Sequence, residues 1–303
     1  MDYIFKDYID FKASVKESRS VFSVKKRLFG LTRNTCIINE VRTKSDGHYK
    51  HIQLTAKGIQ AGWGDFIENA LQCLPAYEGT DIVPQLIFAD PVNIVVKWID
   101  GVTLKHLDMS KDDYAEFGSF LAKSIRDYRT IDTENIVRDI NRKLGELYSM
   151  KVIGKDLYEK IKLLLSKENI VPEKVTESIC FGDVIPGNYV RDESGGYHYI
   201  DVFGIYRVPL GRVFAKQLYM IRPDCRKAFS AAYFHEIEYD EIRKNIAFYH
   251  IYFLLQTAYS KSGKKGFVKK KRGIKKANNA VIEMNNFVKM INSEDHLSYI
   301  GVE

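Results

Sequence analysis

Hydrophobic and polar residues alternate along much of the first hundred positions, as they do in strands that bury one face. Five segments carry this alternation: residues 21–29, 35–42, 49–57, 84–90 and 93–99. Asp46 and Gly47, between the second and third segments, favour a tight hairpin turn. A helical repeat over residues 63–77 interrupts the series. We therefore predict a five-stranded antiparallel sheet that carries one helix.

Beyond residue 110 the hydrophobic positions recur every three or four residues, as in helices that bury one face. Helices are predicted at residues 110–128, 134–150, 155–167, 241–259 and 274–291. Ser110 and Asp113 are typical of a capping box at the start of the first helix. Gly154 is expected to cap the C-terminal end of the second.

The two patterns together predict an α+β fold in two lobes. Residues 1–97 would form a small lobe, with the antiparallel sheet and its helix, and residues 98–303 a larger and mainly helical lobe. A chain of 303 residues with 45% hydrophobic content is long enough for two such cores.

Composition and charge indicate the cellular compartment of the protein and the kind of partner it binds. The four cysteines lie far apart without a CxxC pair, which argues against a zinc site or a disulfide framework and fits a reducing cytosol. The N-terminus is charged throughout, unlike a signal peptide, and no apolar run is long enough to span a bilayer. We expect a cytoplasmic protein. Its net charge of +7 points to an anionic partner, such as nucleic acid, a phosphorylated substrate or a membrane surface.

One short stretch concentrates polar residues at the ends of predicted strands. Residues 179–182 are predicted as an apolar strand that ends in a loop carrying Asp183 and Asn188. A turn at residues 192–196 then makes a hairpin, whose return strand delivers Asp201 next to both. The sequence therefore predicts that three oxygen-bearing side chains converge.

Two carboxylates and one amide form the set that phosphoryl transfer from ATP requires. One carboxylate, Asp183, would orient and deprotonate an attacking hydroxyl, while Asn188 and Asp201 would hold magnesium on the phosphates. Asp, Asn and Gly are also the commonest residues of turns, so this loop by itself supports both interpretations.

A lysine and a glutamate in the first lobe extend the same hypothesis. Lys57 ends the third predicted strand, where its ammonium group would neutralise phosphates, and Glu68 lies near the start of the following helix, where it would hold Lys57 through an ion pair. Glu78 is a rival for Glu68, but it lies beyond Pro75, where the helix should already be ending.

Two backbone segments complete the predicted nucleotide site. The last strand runs into Asp100-Gly101, which marks a linker between lobes, and exposed backbone groups at Val96 and Trp98 would bind the edge of an adenine. The connection over residues 30–34 would lie across the nucleotide, although it lacks the GxGxxG glycine pattern and is equally typical of a plain hairpin turn.

Residues 261–276 form a basic segment with nine Lys or Arg residues and no acidic one. Such a run is often only a solvated chain, and it also suits phosphate binding to nucleic acid or adhesion to an anionic membrane. Because Phe267, Val268 and Ile274 are interleaved with the charges, we favour a peripheral contact with an anionic membrane surface over nucleic acid.

These features, in this order, resemble the lipopolysaccharide core heptose kinases, a family within the protein-kinase-like and aminoglycoside phosphotransferase superfamily. The resemblance covers roughly residues 21–276. Its motifs are the Trp-Ile-Asp-Gly-Val linker at residues 98–102, the Gly-Asp-Val-Ile-Pro-Gly-Asn loop at residues 182–188, a glycine-poor nucleotide connection, and the basic, aromatic residues 249–276.

The resemblance implies a protein-kinase-like fold, ATP and magnesium as cofactors, and a sugar hydroxyl as acceptor, in particular a heptose of a core glycolipid at the inner membrane face. Phe181 departs from the histidine that many small-molecule kinases carry before Gly-Asp. The long helices between residues 107 and 175 are similar to those of aminoglycoside and choline kinases. An aminoglycoside- or choline-type phosphotransferase, and an inactive kinase-fold module that recruits a partner, therefore remain as alternatives.

Overall fold

The computed structural model describes residues 5, 7–28, 31–60, 64–167, 170–237, 240–262 and 271–291. These residues belong to two compact units. Unit 1 comprises residues 1–108 and 181–206, and unit 2 comprises residues 109–180 and 207–303. Residues 181–206 thus group with the N-terminal sheet, although they lie beyond the lobe boundary that we predict at residue 97.

The elements up to residue 108 are α1 (Tyr8–Ser14), β1 (Val15–Leu28), β2 (Leu31–Thr43), β3 (His48–Leu54), α2 (Ala56–Gln60), α3 (Gly64–Cys73), β4 (Leu86–Ala89), β5 (Asn93–Lys97) and β6 (Val102–Thr103). The next elements are α4 (Lys111–Lys123), β7 (Arg126–Asp132), α5 (Glu134–Ser149), α6 (Lys155–Leu165) and β8 (Lys174–Phe181). The remainder are β9 (Tyr189–Arg191), β10 (Tyr197–Tyr199), β11 (Ile205–Pro209), α7 (Leu210–Met220), α8 (Arg226–Glu236), α9 (Asp240–Lys244), α10 (Ile246–Lys261) and α11 (Lys271–Met290).

Unit 1 is built on the predicted five-stranded antiparallel sheet, in the order β1-β2-β3-β5-β4. Asp46 adopts a φ of 60° in the turn before β3, as the Asp-Gly pair predicts. The connection predicted over residues 30–34 was wrong in extent. Leu28 lies opposite Leu31, so residues 31–34 belong to β2 because the strand pairing continues to the end of the hairpin.

The third strand ends earlier than predicted. β3 stops at Leu54, and the hydroxyl of Thr55 accepts a hydrogen bond of 3.2 Å from the N–H of Gly58. A threonine in this position caps a helix, so the chain turns into the short helix α2 at once. Lys57 therefore lies in α2, and its placement on the third strand was wrong.

The N-terminal residues close one face of the sheet. Phe5 and Phe11, the latter on α1, pack against buried residues of three strands: Val41, Ile87, Phe88 and Val95. The ring centroids of Phe5 and Phe11 lie 5.3 Å apart in an edge-to-face arrangement. Strands β10, β9 and β6 form a separate three-stranded sheet within the same unit.

Unit 2 is mainly helical around a long apolar helix. α10 is buried over most of its length and packs on α5, α7 and α11, while α4 packs on α8. The capping box of Ser110 and Asp113 is confirmed, with hydrogen bonds in both directions. A three-stranded sheet in the order β11-β8-β7 completes the elements.

Two details of the helical prediction were wrong. The first helix ends at Lys123 instead of continuing to Tyr128, because residues 126–132 pair with β8 as strand β7. Gly154 is the N-cap of α6 and not a C-cap, since Lys151, with a φ of 57°, already ends the preceding helix.

Candidate active site

The loop after β8 brings the three predicted polar residues together. Asn188 Nδ2 donates to the backbone carbonyl of Asp183 at 2.9 Å, and it lies 3.4 Å from Asp183 Oδ2 and 3.2 Å from Asp201 Oδ2. The loop is itself tight, because Ile185 N–H donates to the Asp183 carbonyl and Asn188 N–H donates to the Ile185 carbonyl. Two carboxylates and an amide therefore share one small site.

The β9–β10 hairpin delivers Asp201 to this loop. Tyr199 lies opposite Tyr189, and Ile200 N–H donates to the carbonyl of Asn188 at 2.8 Å. The Asp201 carbonyl then accepts from Gly204 N–H at 2.8 Å, which begins a turn of 3-10 helix. Helix α3 lies against this turn. The hairpin predicted from the sequence is thus the element that positions Asp201.

Lys50 on β3 joins the site from the five-stranded sheet. Its Nζ donates a hydrogen bond of 2.7 Å to the carbonyl of Ile200, immediately before Asp201. Burial lowers the pKa of the Lys50 ammonium, and the nearby Asp201 carboxylate opposes that shift. Burial also raises the pKa of Asp201, with Asp183 adding to the rise and Lys50 opposing it. Each group therefore favours the ionised form of the other, against the effect of burial on its pKa.

Sequence reasoning missed Lys50, although a signal was present. Positions 50, 52 and 54 share one face of β3 because side chains alternate along a strand. Ile52 and Leu54 on that face are buried, so a lysine in the same row is a charged residue among core residues. Such a lysine is rarely left without a partner.

The other two polar residues predicted for the site are Lys57 and Glu68. The side chain of Lys57 lies outside the described residues, and so does its predicted pairing with Glu68. Glu68 is exposed on α3, and within the described part of the chain no ion pair joins it to Lys50.

The predicted adenine-binding groups are largely used inside the sheet. Val96 is fully buried in β5, opposite Lys50 on one side and Leu86 on the other. Trp98 N–H donates to the carbonyl of His48 at 2.9 Å, and the two rings stack with centroids 4.9 Å apart. The expectation that backbone groups are exposed was therefore wrong for Val96 and for the N–H of Trp98, because hydrogen bonding to β3 continues one residue beyond the end of β5.

The linker that follows has a backbone conformation that favours glycine. Gly101 adopts a φ of 143°, and a Cβ there would lie 2.5 Å from the carbonyl oxygen of Arg191. The Asp-Gly pair that marks the linker in the sequence thus has a steric cause.

The donor set suits a magnesium ion. The carbonyl of Asp183 can only accept a hydrogen bond, so it fixes the Asn188 amide with Nδ2 toward it. Among the described residues no hydrogen bond engages Asn188 Oδ1. An amide oxygen held in this orientation, together with the carboxylate of Asp201, provides the hard oxygen ligands that magnesium prefers.

The basic segment is only partly visible. Residues 263–270 lie outside the described residues, and Ile274, Lys275 and Lys276 are exposed near the start of α11. Of the helices in the described ranges, none combines the length and the apolar character needed to cross a bilayer.

No protein-family model and no curated protein matches the chain. Solved structures do. A macrolide 2′-phosphotransferase from Brachybacterium faecium aligns with a TM-score of 0.64 and 12% identity, over 90% of this chain and 96% of the other. The GDP complex of aminoglycoside 2′-phosphotransferase-IIIa aligns with a TM-score of 0.60 and 13% identity, over 90% of this chain and 94% of the other. A choline kinase from Streptococcus pneumoniae aligns with a TM-score of 0.57 and 12% identity, over 92% of this chain and 96% of the other.

At these identities the comparisons establish the fold. The chain has the protein-kinase-like fold, with an antiparallel sheet in the N-terminal part and a mainly helical C-terminal part, as the sequence predicts. The narrower resemblance to the heptose kinases stays a prediction.

Proposed function

We propose that this protein is a kinase that transfers the γ-phosphoryl group of ATP to a hydroxyl group of a non-protein acceptor. The convergence of Lys50, Asp183, Asn188 and Asp201 supports the proposal most directly. Three similar structures carry names that denote phosphotransferases or kinases of small molecules, which supports the same class.

Asp183 is the catalytic residue in this proposal. Its carboxylate would accept the proton of the acceptor hydroxyl and orient the oxygen for attack on the phosphorus. Its loop is held by two backbone hydrogen bonds and by Asn188, so the carboxylate needs little rearrangement before reaction.

Lys50 takes the phosphate-binding role that we predicted for Lys57. An ammonium group that is half-buried, held by a backbone carbonyl and close to a carboxylate is pre-oriented, and a nucleotide phosphate would be a further anionic partner for it. In this proposal the Ile200 carbonyl orients the ammonium group of Lys50, and Asp201, rather than Glu68, is the carboxylate that acts on it electrostatically.

Asn188 and Asp201 would hold the magnesium ion. When bound, magnesium neutralises negative charge on the phosphates and so stabilises the transferring group. These two residues flank the β9–β10 hairpin, which would therefore set where the nucleotide phosphates lie.

For the acceptor we propose a sugar hydroxyl, in particular a heptose of a phosphorylated core glycolipid. The linker and loop motifs support this choice, and so does the net charge of +7, which favours an anionic acceptor over a cationic one. The second candidate is an aminoglycoside- or choline-type acceptor, which the names of the similar structures favour.

The basic segment would bring the enzyme to such a glycolipid. With ~1 kcal/mol for each basic residue near an anionic leaflet, four of the nine would contribute ~4 kcal/mol, enough for reversible adhesion. In this proposal the protein works in the cytoplasm and contacts the membrane peripherally.

The test is a turnover assay with ATP and magnesium against three acceptors: dephosphorylated core glycolipid, an aminoglycoside and choline. We expect ADP release with the glycolipid and incorporation of phosphate into its sugar, and no incorporation with Asp183→Asn. Transfer only to the aminoglycoside or choline would replace the acceptor assignment. Nucleotide binding without transfer to any acceptor would favour the inactive recruiting module.

A further inference from the structure

Tyr199, on β10, contacts the loop that carries Asp183. Its hydroxyl donates a hydrogen bond of 3.2 Å to the backbone carbonyl of Asp183. The same carbonyl accepts from Asn188 Nδ2 at 2.9 Å. Both side-chain donors therefore fix one peptide group, and that peptide group sets the direction in which the Asp183 side chain leaves the backbone.

The ring of Tyr199 is held rigidly. It is fully buried, stacks on Phe181 with centroids 4.2 Å apart and planes 10° apart, and meets Tyr189 edge-on at 5.0 Å. Phe181 in turn stacks on Tyr77 at 5.5 Å. Phe181, which stands where many small-molecule kinases carry a histidine, thus provides the ring against which Tyr199 stacks.

The surroundings also fix the Tyr199 hydroxyl as a donor. A Cβ at Gly204 would overlap the hydroxyl oxygen and would lie 3.3 Å from the Cβ of Asp183, so the chain leaves room there for the hydroxyl alone. The carbonyl oxygen of Asp183 can only accept a hydrogen bond, so the Tyr199 hydroxyl is the donor in this contact.

We propose that Tyr199 is a positioning residue for the catalytic carboxylate of Asp183, acting through the backbone carbonyl that it shares with Asn188. This inference rests on the proposed kinase function. Tyr199 does not face the nucleotide or the acceptor in the proposal, so its loss should slow the phosphoryl-transfer step and leave nucleotide binding in place.

The experiment compares Tyr199→Phe with Tyr249→Phe. Both remove one buried hydroxyl, but the Tyr249 hydroxyl lies in unit 2 and donates to Glu241 Oε1 at 2.5 Å. We expect Tyr199→Phe to lower kcat on the order of 10-fold without changing KM for ATP. Calorimetry should give the same Kd for magnesium–ATP as in the unmodified protein. Tyr249→Phe should lower the melting temperature and keep kcat.

The outcomes separate this inference from the proposed function. If the unmodified protein transfers phosphate to no acceptor, the kinase assignment fails before Tyr199 is tested. If it is active and Tyr199→Phe keeps its kcat, positioning by Tyr199 is overturned. Equal losses of kcat in both variants, or a loss of ATP affinity in Tyr199→Phe, would show general destabilisation and would overturn it as well.

Discussion

The ammonium group of Lys50 donates a hydrogen bond to the carbonyl of Ile200 at 2.7 Å, and Ile200 immediately precedes Asp201. Strand β3 and the β9–β10 hairpin are far apart in the chain, yet this contact joins them inside one compact unit. Burial disfavours both charges, and each group opposes the pKa shift of the other. The pair is thus a half-buried electrostatic unit, and the proposed function puts the nucleotide phosphates beside it.

The first prediction separates the two candidate lysines. Lys50→Met should reduce turnover by about 100-fold or more, because the phosphates lose their buried positive partner. Lys57→Met should retain most of the activity, since β3 has ended before residue 57. Steady-state ADP release measures both variants. A larger loss in Lys57→Met would return the phosphate-binding role to Lys57.

The second prediction concerns folding stability. Lys50→Met and Asp201→Asn should each destabilise the protein, because each leaves a buried charge without its partner. The double variant should be more stable than the sum of the two changes indicates, with a coupling energy of about 1–3 kcal/mol. Urea unfolding of all four proteins gives this number. A sum that is additive within about 0.5 kcal/mol would mean that the charges do not interact.

A third prediction distinguishes the two carboxylates of the site. Asp183→Asn should abolish turnover and leave magnesium–ATP binding nearly unchanged, because it removes only the proton acceptor. Asp201→Asn should weaken magnesium–ATP binding as well as turnover, since it removes a metal ligand. Calorimetric titrations with and without magnesium separate the two. Unchanged turnover in either variant contradicts the kinase assignment.

The fourth prediction follows from His198 and Asp192. His198 Nδ1 lies 2.6 Å from the carbonyl oxygen of Asp81, and its Nε2 lies 2.7 Å from Asp192 Oδ2, so the ring is held between the two groups. The hydrogen bond from His198, followed by those from Ser194 and Gly196, lowers the pKa of Asp192.

Because the folded pKa of Asp192 is lowered, its contribution to stability is complete above the unfolded value of about 3.9 and is lost as the pH falls through the folded value. The melting temperature of Asp192→Asn should therefore lie below that of the unmodified protein at pH ~5.5, and the gap should narrow below pH ~4. Glu193→Gln, at the exposed next position, is the matched control. A gap that stays constant with pH would exclude a stabilising role for the ionised Asp192 carboxylate.

The fifth prediction concerns residues 261–276. Vesicles that contain anionic lipid should bind the protein, and binding should fall steeply as salt rises, because exposed charges are screened. Replacing Lys269, Lys270, Lys271 and Arg272 by glutamine should reduce the binding and spare ATP affinity. Equal binding to neutral vesicles, or tighter binding to duplex nucleic acid, would contradict a membrane role.

The sequence was sufficient to predict those parts of the site whose residues lie close together in the chain. Asp183, Asn188 and Asp201 lie within nineteen positions, and turn residues between short strands determine how such a segment folds back. The five strands and most helices followed from alternation and from periodicity for the same reason. Their chemical roles stay predictions.

Lys50 was harder to predict as a site residue. The residue at which a strand ends depends on a small difference in stability between continuing the strand and starting a helix. Thr55 caps α2, whereas alternation alone continues to Lys57. The partner of Lys50 also lies in another part of the chain, and such a contact leaves no local pattern. For Trp98 the difficulty was similar, since only the register between β3 and β5 shows that its N–H is used.

Unit 1 is assembled from two separate stretches of chain, and this limits how the gene can be divided. A recombinant fragment that stops at residue 108 would lack β9, the strand that pairs with Val102 and Thr103. It would also lack the carbonyl that accepts from Lys50 and would leave the carbonyl of Ile82 without the N–H of Tyr199. Such a fragment exposes a strand edge and a half-buried ammonium group, so we expect it to aggregate. A soluble fragment of unit 1 would have to carry residues 181–206 as well, spliced behind residue 108.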